Sequence, residues 1–304
     1  MLLRQHAELI SHEQVEAGII EEIINKDEMF ALLPFMAVTG KAYVYDRENP
    51  ADESSYVGAT FLDPNEDVPE QTTSFVEVVS KLRILIGDAD VDKFLQETMS
   101  DTNDQLALQL AAKAKGMNRM FKKTLVNGDN TANTKEFDGL GKLVTAGQTL
   151  EAGTNGAALT FGMLDELADM VPNGADALIM RAGTIRAYRA LLRLQSGTDA
   201  SMIEIENFGV PVLAHNGMPI LRNDFLSGAE TQGTNVKTCS IYAARFNLAD
   251  GVHGIFSGSN AGIRVEDIGT VQNRDATRTR LKWYCGLALK STKSLARLKG
   301  VTNV

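Results

Sequence analysis

The strongest constraint on how this chain can fold is a stretch unable to build a core of its own. Residues 46–70 carry eight acids (Asp46, Glu48, Asp52, Glu53, Asp63, Glu66, Asp67 and Glu70) against one base, Arg47. Pro50, Pro64 and Pro69 interrupt the stretch, and large apolar side chains are few. So little apolar surface cannot offset the entropy of ordering the segment, which has to lean on something else. The last 29 residues, 276–304, show the opposite bias, with seven bases (Arg278, Arg280, Lys282, Lys290, Lys293, Arg297 and Lys299) and no acid. An acidic arm without a core, together with a basic terminal stretch, describes a subunit that grips its neighbours. Assembly is indicated before catalysis.

The 304 residues suffice for two compact domains, or for one with large excursions. With 44% apolar and 23% charged residues the chain reads as globular. A net charge of −9 argues against a general nucleic-acid-binding face but leaves room for local basic patches. It also suits a lining along which a polyanion slides rather than sticks. Cys239 and Cys285 are too few for a disulfide framework and read as buried reduced thiols. The first residues lack the apolar core and cleavage site of a signal peptide, and no run of about 18 apolar residues suggests a membrane span. A cytosol-like compartment is expected.

Ser11-x-x-Gln14 has the form of a capping box. Val15, Ile19, Ile20, Ile23 and Ile24 then form an apolar stripe at helical spacing, ending near Asn25–Lys26. Lys41–Asp46 reads as a strand that passes into the acidic arm. Ser74–Ile86 reads as the returning strand, with Val76, Val78, Leu82, Ile84 and Ile86 on one face, so the pair forms a long ribbon with a polar tip near 48–70. Such a ribbon is marginal alone. A long helix follows, capped at Asp101 or Thr102 and running to about Val126. Its stripe is Leu106, Leu110, Ala114, Met117 and Phe121, and its bases gather in the later half where the helix dipole favours them. Helices at 160–171 and 183–194 alternate with strands at Ala177–Met180, Val210–Leu213, Pro219–Arg222, Thr238–Tyr242 and Gly254–Phe256, giving a mixed α/β lobe. The chain closes through Gly262–Asp267 and a strand-like stretch from Thr277 to about Leu298.

Chemistry leaves little trace. Gly139-Leu140-Gly141-Lys142 is no phosphate loop, because Leu143 stands in the Ser/Thr position and Glu136 where an earlier glycine is needed. His6, His12, His215 and His253 show no metal-ligand spacing, and His215, beside Asn216-Gly217, reads as surface polar. Gly258-Ser259-Asn260-Ala261-Gly262 has its serine misplaced for a nucleophile elbow. No cofactor, metal or catalytic residue is expected, and the chain does not read as an enzyme.

The order of elements, with the local text, resembles the major capsid proteins of tailed bacteriophages with the HK97 fold. Leu125-Val126-Asn127-Gly128-Asp129 followed by Phe137-Asp138-Gly139-Leu140 resembles the stretch after that family's spine helix, and Phe208–Val212 its "G-x-P-V" strand entry. Ile263–Asp267 with Arg278–Gly300 resembles its closing peripheral strands. The resemblance implies an α+β fold with an N-arm at 1–36 and an extended β-hairpin loop at 37–73. It also implies a peripheral domain at 74–145 joined by 263–304, with the spine helix at about 101–126, and an α/β axial domain at 146–262. The implied role is a head protein assembling through pentamers and hexamers into an icosahedral virion shell around double-stranded DNA, without sequence specificity. The implied partners are scaffolding, portal and cement or decoration proteins, with assembly in the bacterial host cytoplasm and no membrane. An encapsulin-type compartment shell is the alternative on the same fold, and an uncharacterised α/β enzyme the alternative outside it.

Some members of the family weld subunits through an isopeptide bond from a lysine on the extended loop to a neighbour's asparagine, assisted by a glutamate. Residues 42–80 contain no lysine, and the other two positions fall near Thr279 and Gly286. No covalent cross-link is therefore expected. Two readings of the arm's acids stand side by side: they lie on a neighbour's bases, either Arg278, Arg280, Lys282, Lys290 and Lys293 or those of the spine helix, or they keep the arm soluble while the lysines solvate a sheet edge. In a form such as this, where the helical N-arm begins within a dozen residues of Met1, a separate scaffolding protein is one expectation and a mature form the other.

Overall fold

The computed structural model of the chain describes residues 29, 32–48, 60–68, 70, 72, 74–98, 104–194, 202–204, 211–258 and 262–302. The amphipathic helix expected at 11–26 lies outside them.

Strand β1 (Phe35–Ala37) leads into a hairpin of β2 (Ala42–Glu48) and β3 (Phe75–Lys81), paired antiparallel from Ala42↔Lys81 to Glu48↔Phe75. This is the expected ribbon. Its return differs from the expectation, because the strand breaks at Leu82, whose N–H donates to Lys41 O at 3.1 Å. The chain then leaves the hairpin as β4 (Arg83–Asp92) and joins a different sheet. The break changes the alternation. Beyond it Ala89 and Val91 are buried, while Ile84 and Ile86, expected on the apolar face, point outward.

After the short helix α1 (Lys93–Thr98) comes the long helix α2 (Gln105–Asn127), 23 residues or roughly 35 Å. Its cap is Asp104, whose Oδ1 accepts from Leu106 N at 2.9 Å and Ala107 N at 3.2 Å; Asp101 and Thr102 lie outside the described residues. Phe121, on the predicted stripe, packs against Trp283 with ring centroids 4.5 Å apart and against Phe137 at 5.5 Å. The glycines after α2 are a matter of close approach. A Cβ on Gly128 would lie 2.2 Å from Phe137 O, and one on Gly139 2.5 Å from Thr124 O. Helix end and returning loop are thereby pressed together, joined by Gly139 N to Gly128 O at 2.9 Å.

The second half holds α3 (Leu140–Leu143), β5 (Thr149–Glu151), α4 (Phe161–Asp169), β6 (Ala177–Met180), α5 (Ala182–Leu194), β7 (Met202–Glu204), β8 (Pro211–His215), β9 (Met218–Arg222), β10 (Glu230–Gln232), β11 (Asn235–Ala244), β12 (Val252–Phe256), β13 (Arg264–Thr270), β14 (Ala276–Leu289) and β15 (Leu295–Val301). Two sheets result. The eight-stranded sheet runs β5-β15-β11-β6-β9-β8-β7 with β10 on β11. The five-stranded sheet runs β1-β12-β14-β13 with β4 on the other edge of β14. The terminal stretch expected as one strand is two. Ser291 Oγ accepts from Lys293 N and caps a 3-10 turn at Thr292–Ser294, where the polar run Lys290–Ser294 carries the chain from one sheet to the other. Sheet membership consequently crosses the expected boundary at 262/263: β12 sits in the five-stranded sheet and β15 in the eight-stranded one.

One core lies between α2 and the five-stranded sheet around Phe121, Trp283, Leu281 and Met117, and continues toward Tyr242 and Leu295. The other lies around Leu164, Leu167, Leu178, Tyr188 and Leu298. Cys239 and Cys285 are free and buried, as expected. Burial raises both thiols, Cys285 to about 12, well away from thiolate reactivity.

Candidate inter-subunit surfaces

Alternation divides the hairpin into two faces. Tyr43 and Tyr45 root one face on the body. Tyr45 Oη donates to Leu289 O at 2.6 Å, Tyr43 meets the His253 ring edge-on at 5.9 Å, and Lys290 Nζ lies 5.9 Å from the Tyr43 ring centre. On the opposite face Val44 stands across from Val79 and Glu48 across from Phe75, all four exposed. Asp46 stands directly across from Glu77, a like-charge pairing that costs stability in an isolated ribbon. The tip continues the pattern. Asp63 N donates to Glu66 Oε2 at 2.8 Å and Glu66 N to Asp63 O at 3.1 Å, with Asn65 left-handed (φ 71°) at the turn. Phe61 and Val68 flank this turn, Phe61 with a relative exposure of 104%. Asp46, Glu48, Asp63, Glu66, Asp67 and Glu70 are all exposed; Asp52 and Glu53 lie outside the described residues. Sequence reasoning found the acids and missed the exposed apolar side chains among them. Their signal was Phe61-Leu62 next to Asp63-Pro64 in an otherwise polar stretch.

The basic residues are placed differently. Arg278 holds Asp90 in a bidentate pair (2.7 and 2.6 Å), and Arg280 holds Asp88 likewise (2.8 and 2.8 Å), each across the β14–β4 register. Hydrogen bonds from these guanidiniums hold both carboxyls below the usual carboxylate range, and both arginines are held above theirs. Lys282 pairs with Glu266 of β13. Arg297 pairs with Glu230 at 3.1 Å and Lys299 with Glu151 at 2.8 Å, while Lys293 lies half-buried in the 3-10 turn. The solvent side of the five-stranded sheet is thus a ladder of in-chain charge pairs, with exposed Ile84 and Ile86 at one end. The sequence carried a sign of it: Asp88-x-Asp90-x-Asp92 and Arg278-x-Arg280-x-Lys282 are complementary charges at the period of a strand.

His215 departs from the surface reading. It is buried, with Nε2 2.9 Å from Asp165 Oδ1, Nδ1 3.2 Å from Tyr188 Oη, and the Phe161 ring stacked at 5.9 Å. This knot ties α4, α5 and β8 together. Among the described residues no cluster of His, Cys, Asp or Glu is arranged to hold a metal, and no helix is long and apolar enough to cross a membrane.

No protein-family model and no curated protein matches the chain. Solved structures do. The holo-SrpI encapsulin complex from Synechococcus elongatus aligns with a TM-score of 0.75 at 18% identity, covering 100% of this chain and 97% of that one. The capsid of an empty GTA particle aligns at 0.69 and 12% identity over 98% of both chains. The capsid of Myoviridae phage XM1 aligns at 0.60 and 12% identity over 99% of both. These neighbours are shell proteins, not enzymes. The hairpin, the sheet backed by one long helix and the second α/β lobe form a mixed α+β structure that matches the HK97-like capsid fold.

Proposed function

We propose that the protein is the major capsid protein of a tailed-phage-type virion, assembling through pentamers and hexamers into an icosahedral shell around double-stranded DNA. The observation that carries this reading is the hairpin. A monomer has no use for an arm whose outer face presents Val44, Val79 and Phe75 to water with Asp46 set across from Glu77, and whose tip exposes Phe61. A neighbouring copy supplies the missing surface, and heterologous contacts of that kind close into rings. Scaffolding and portal proteins are the partners this reading implies, a cement or decoration protein being an optional addition, and assembly takes place in the host cytoplasm. The loop's acids are assigned to a neighbour's basic stretch from Arg278 to Lys293.

The shell is held without isopeptide bonds. The hairpin has lysine only at its roots, Lys41 and Lys81. Thr279 is buried, and a Cβ on Gly286 would lie 3.0 Å from both Ile255 Cγ1 and Lys81 O, leaving no room for a glutamate. A denaturing gel of purified shells should show only the monomer band.

The second reading is an encapsulin-type compartment, favoured by the 0.75 TM-score to the SrpI shell. Negative-stain electron microscopy beside size exclusion tests the shell itself; closed particles, tubes or capsomer rings are expected. A chain that stays monomeric, even with a scaffolding partner, would refute it. Nuclease-protected DNA in particles from the natural source separates a virion from a compartment filled with protein.

A further inference from the structure

Four Asn-Gly pairs occur in the chain, at 127–128, 155–156, 173–174 and 216–217. Glycine gives its amide nitrogen no steric cover, so in each pair that nitrogen can attack the carbonyl carbon of the preceding side chain. The fold treats the four unequally. In three of them the attacking nitrogen is already engaged: Gly128 N donates to Thr124 O at 2.7 Å, Gly156 N to Gly153 O at 3.0 Å and Gly174 N to Val171 O at 2.9 Å. Gly217 differs. With Asn216 it forms the exposed two-residue turn between β8 and β9, both residues left-handed (φ 47° for Asn216 and 84° for Gly217). Among the described residues its N–H donates to no group.

We propose that Asn216-Gly217 is a self-modification site, where Asn216 deamidates in the folded chain ahead of the other three pairs and thereby loosens the lobe around it. Gly217 N gives its proton to solvent and bonds to Asn216 Cγ; the Cγ–Nδ2 bond breaks and Nδ2 leaves as ammonia. One water then opens the succinimide at either carbonyl. The product is aspartate at 216, or isoaspartate with its side-chain carbon drawn into the backbone, and nothing is oxidised or reduced. The position is not a neutral one. Asp165 Oδ1 accepts from Asn216 Nδ2 at 2.8 Å and from His215 Nε2 at 2.9 Å. Deamidation exchanges the first donor for a carboxylate, which sets like charges together at the oxygen that holds His215. Isoaspartate also lengthens a turn closed by the His215↔Met218 pair. Either product weakens the knot of α4, α5 and β8 made by Asp165, Tyr188 and His215. The proposal is independent of the capsid reading.

The test incubates the full-length chain at neutral pH over several weeks in oxygen-18 water, with peptide mapping by mass spectrometry. The heavy oxygen marks conversion during incubation and separates it from conversion during digestion. Asn216 should deamidate at least about five-fold faster than Asn127, Asn155 or Asn173, the factor that one retained hydrogen bond contributes. In denaturant the four rates should converge, because each asparagine precedes a glycine. N216D, which carries one product from the start, should melt several degrees below the parent. D165N/N216D removes the like charge and should recover most of that loss. Equal or faster conversion at another pair, no conversion at Asn216, or an order that persists in denaturant each overturns the site. An N216D chain that melts with the parent, or a loss that D165N does not relieve, overturns the loosening by like charge.

Discussion

Replacing Phe61 with serine separates assembly from folding. Phe61 is fully exposed, so the substitution removes no contact inside the monomer, and its thermal unfolding should stay within about 0.5 kcal/mol of the parent. On the capsid reading, the ring at the tip of the hairpin is placed against a neighbour. A buried aromatic removes about 150–250 Å² from water, a gross gain of about 4–6 kcal/mol at 25 cal/mol/Å². Ordering the tip and desolvating the flanking Asp63 and Glu66 consume part of that, leaving a central anchor worth about 2 kcal/mol per contact. At about 1.4 kcal/mol per tenfold, the critical concentration for assembly should rise roughly thirty-fold, and more if several contacts of a capsomer weaken together. Light scattering against protein concentration measures the threshold, and calorimetry of the dilute chain measures the fold. A variant that assembles at the parent threshold would refute the anchor role. One that melts early would show that Phe61 serves the monomer, against its exposure.

Three further outcomes are expected. K290E/K293E should block shell formation, by light scattering and microscopy, while leaving the near-ultraviolet circular dichroism of a folded chain; Lys282 is kept because in K282E its partner Glu266 would face a second carboxylate. G128A forces a Cβ toward Phe137 O and Thr124 O, an overpacking cost of about 1–3 kcal/mol that should lower the melting temperature by several degrees. His253 is buried with Nε2 unpartnered, and desolvation lowers its pKa below 6.5. The unfolded chain therefore binds the proton first, so its contribution to stability is full above pH 6.5 and is lost as pH falls through the folded value. Melting at pH 7.5 and 5 should show acid destabilisation that H253L reduces.

The long helix was legible because Leu106, Leu110, Met117 and Phe121 repeat at its own period. Ala177–Met180 was legible because a short apolar run between turn signals has few other fates. The hairpin was legible as a ribbon, but its exit was not. The fate of Ile84 and Ile86 depends on β4 pairing with β14, a strand close to the far end of the chain, and local alternation cannot register such a partner. His215 was misplaced for a similar reason, since its turn is polar while its ring is held by Asp165 and Tyr188 from two distant helices. Among the candidate contact residues, charge type was legible and pairing was not. Asp88 and Asp90 lie outside the acidic arm that drew attention, yet they are the groups that reach Arg280 and Arg278.

That pairing sharpens the question of what the basic stretch does for assembly, and a charge swap answers it. In D88R/R280D the cross-strand pair survives with its sign reversed between β4 and β14. Half-exposed pairs contribute about 0.2–1 kcal/mol, so monomer stability should change by no more than that. A neighbour's carboxylate aimed at the Arg280 position would then meet a second carboxylate instead of a guanidinium, and the cost is repeated at every equivalent interface. If the acidic arm uses Arg280, the swap should abolish or strongly delay assembly, and a compensating E48K, E66K or E70K should restore it with the acid that makes the contact. If shells form at the parent rate, the ladder is an internal brace. The arm's acids then answer to Lys290 and Lys293 or to another surface. The single change R280D would not decide this, because it leaves Asp88 facing a second carboxylate and damages the monomer whatever the arm does.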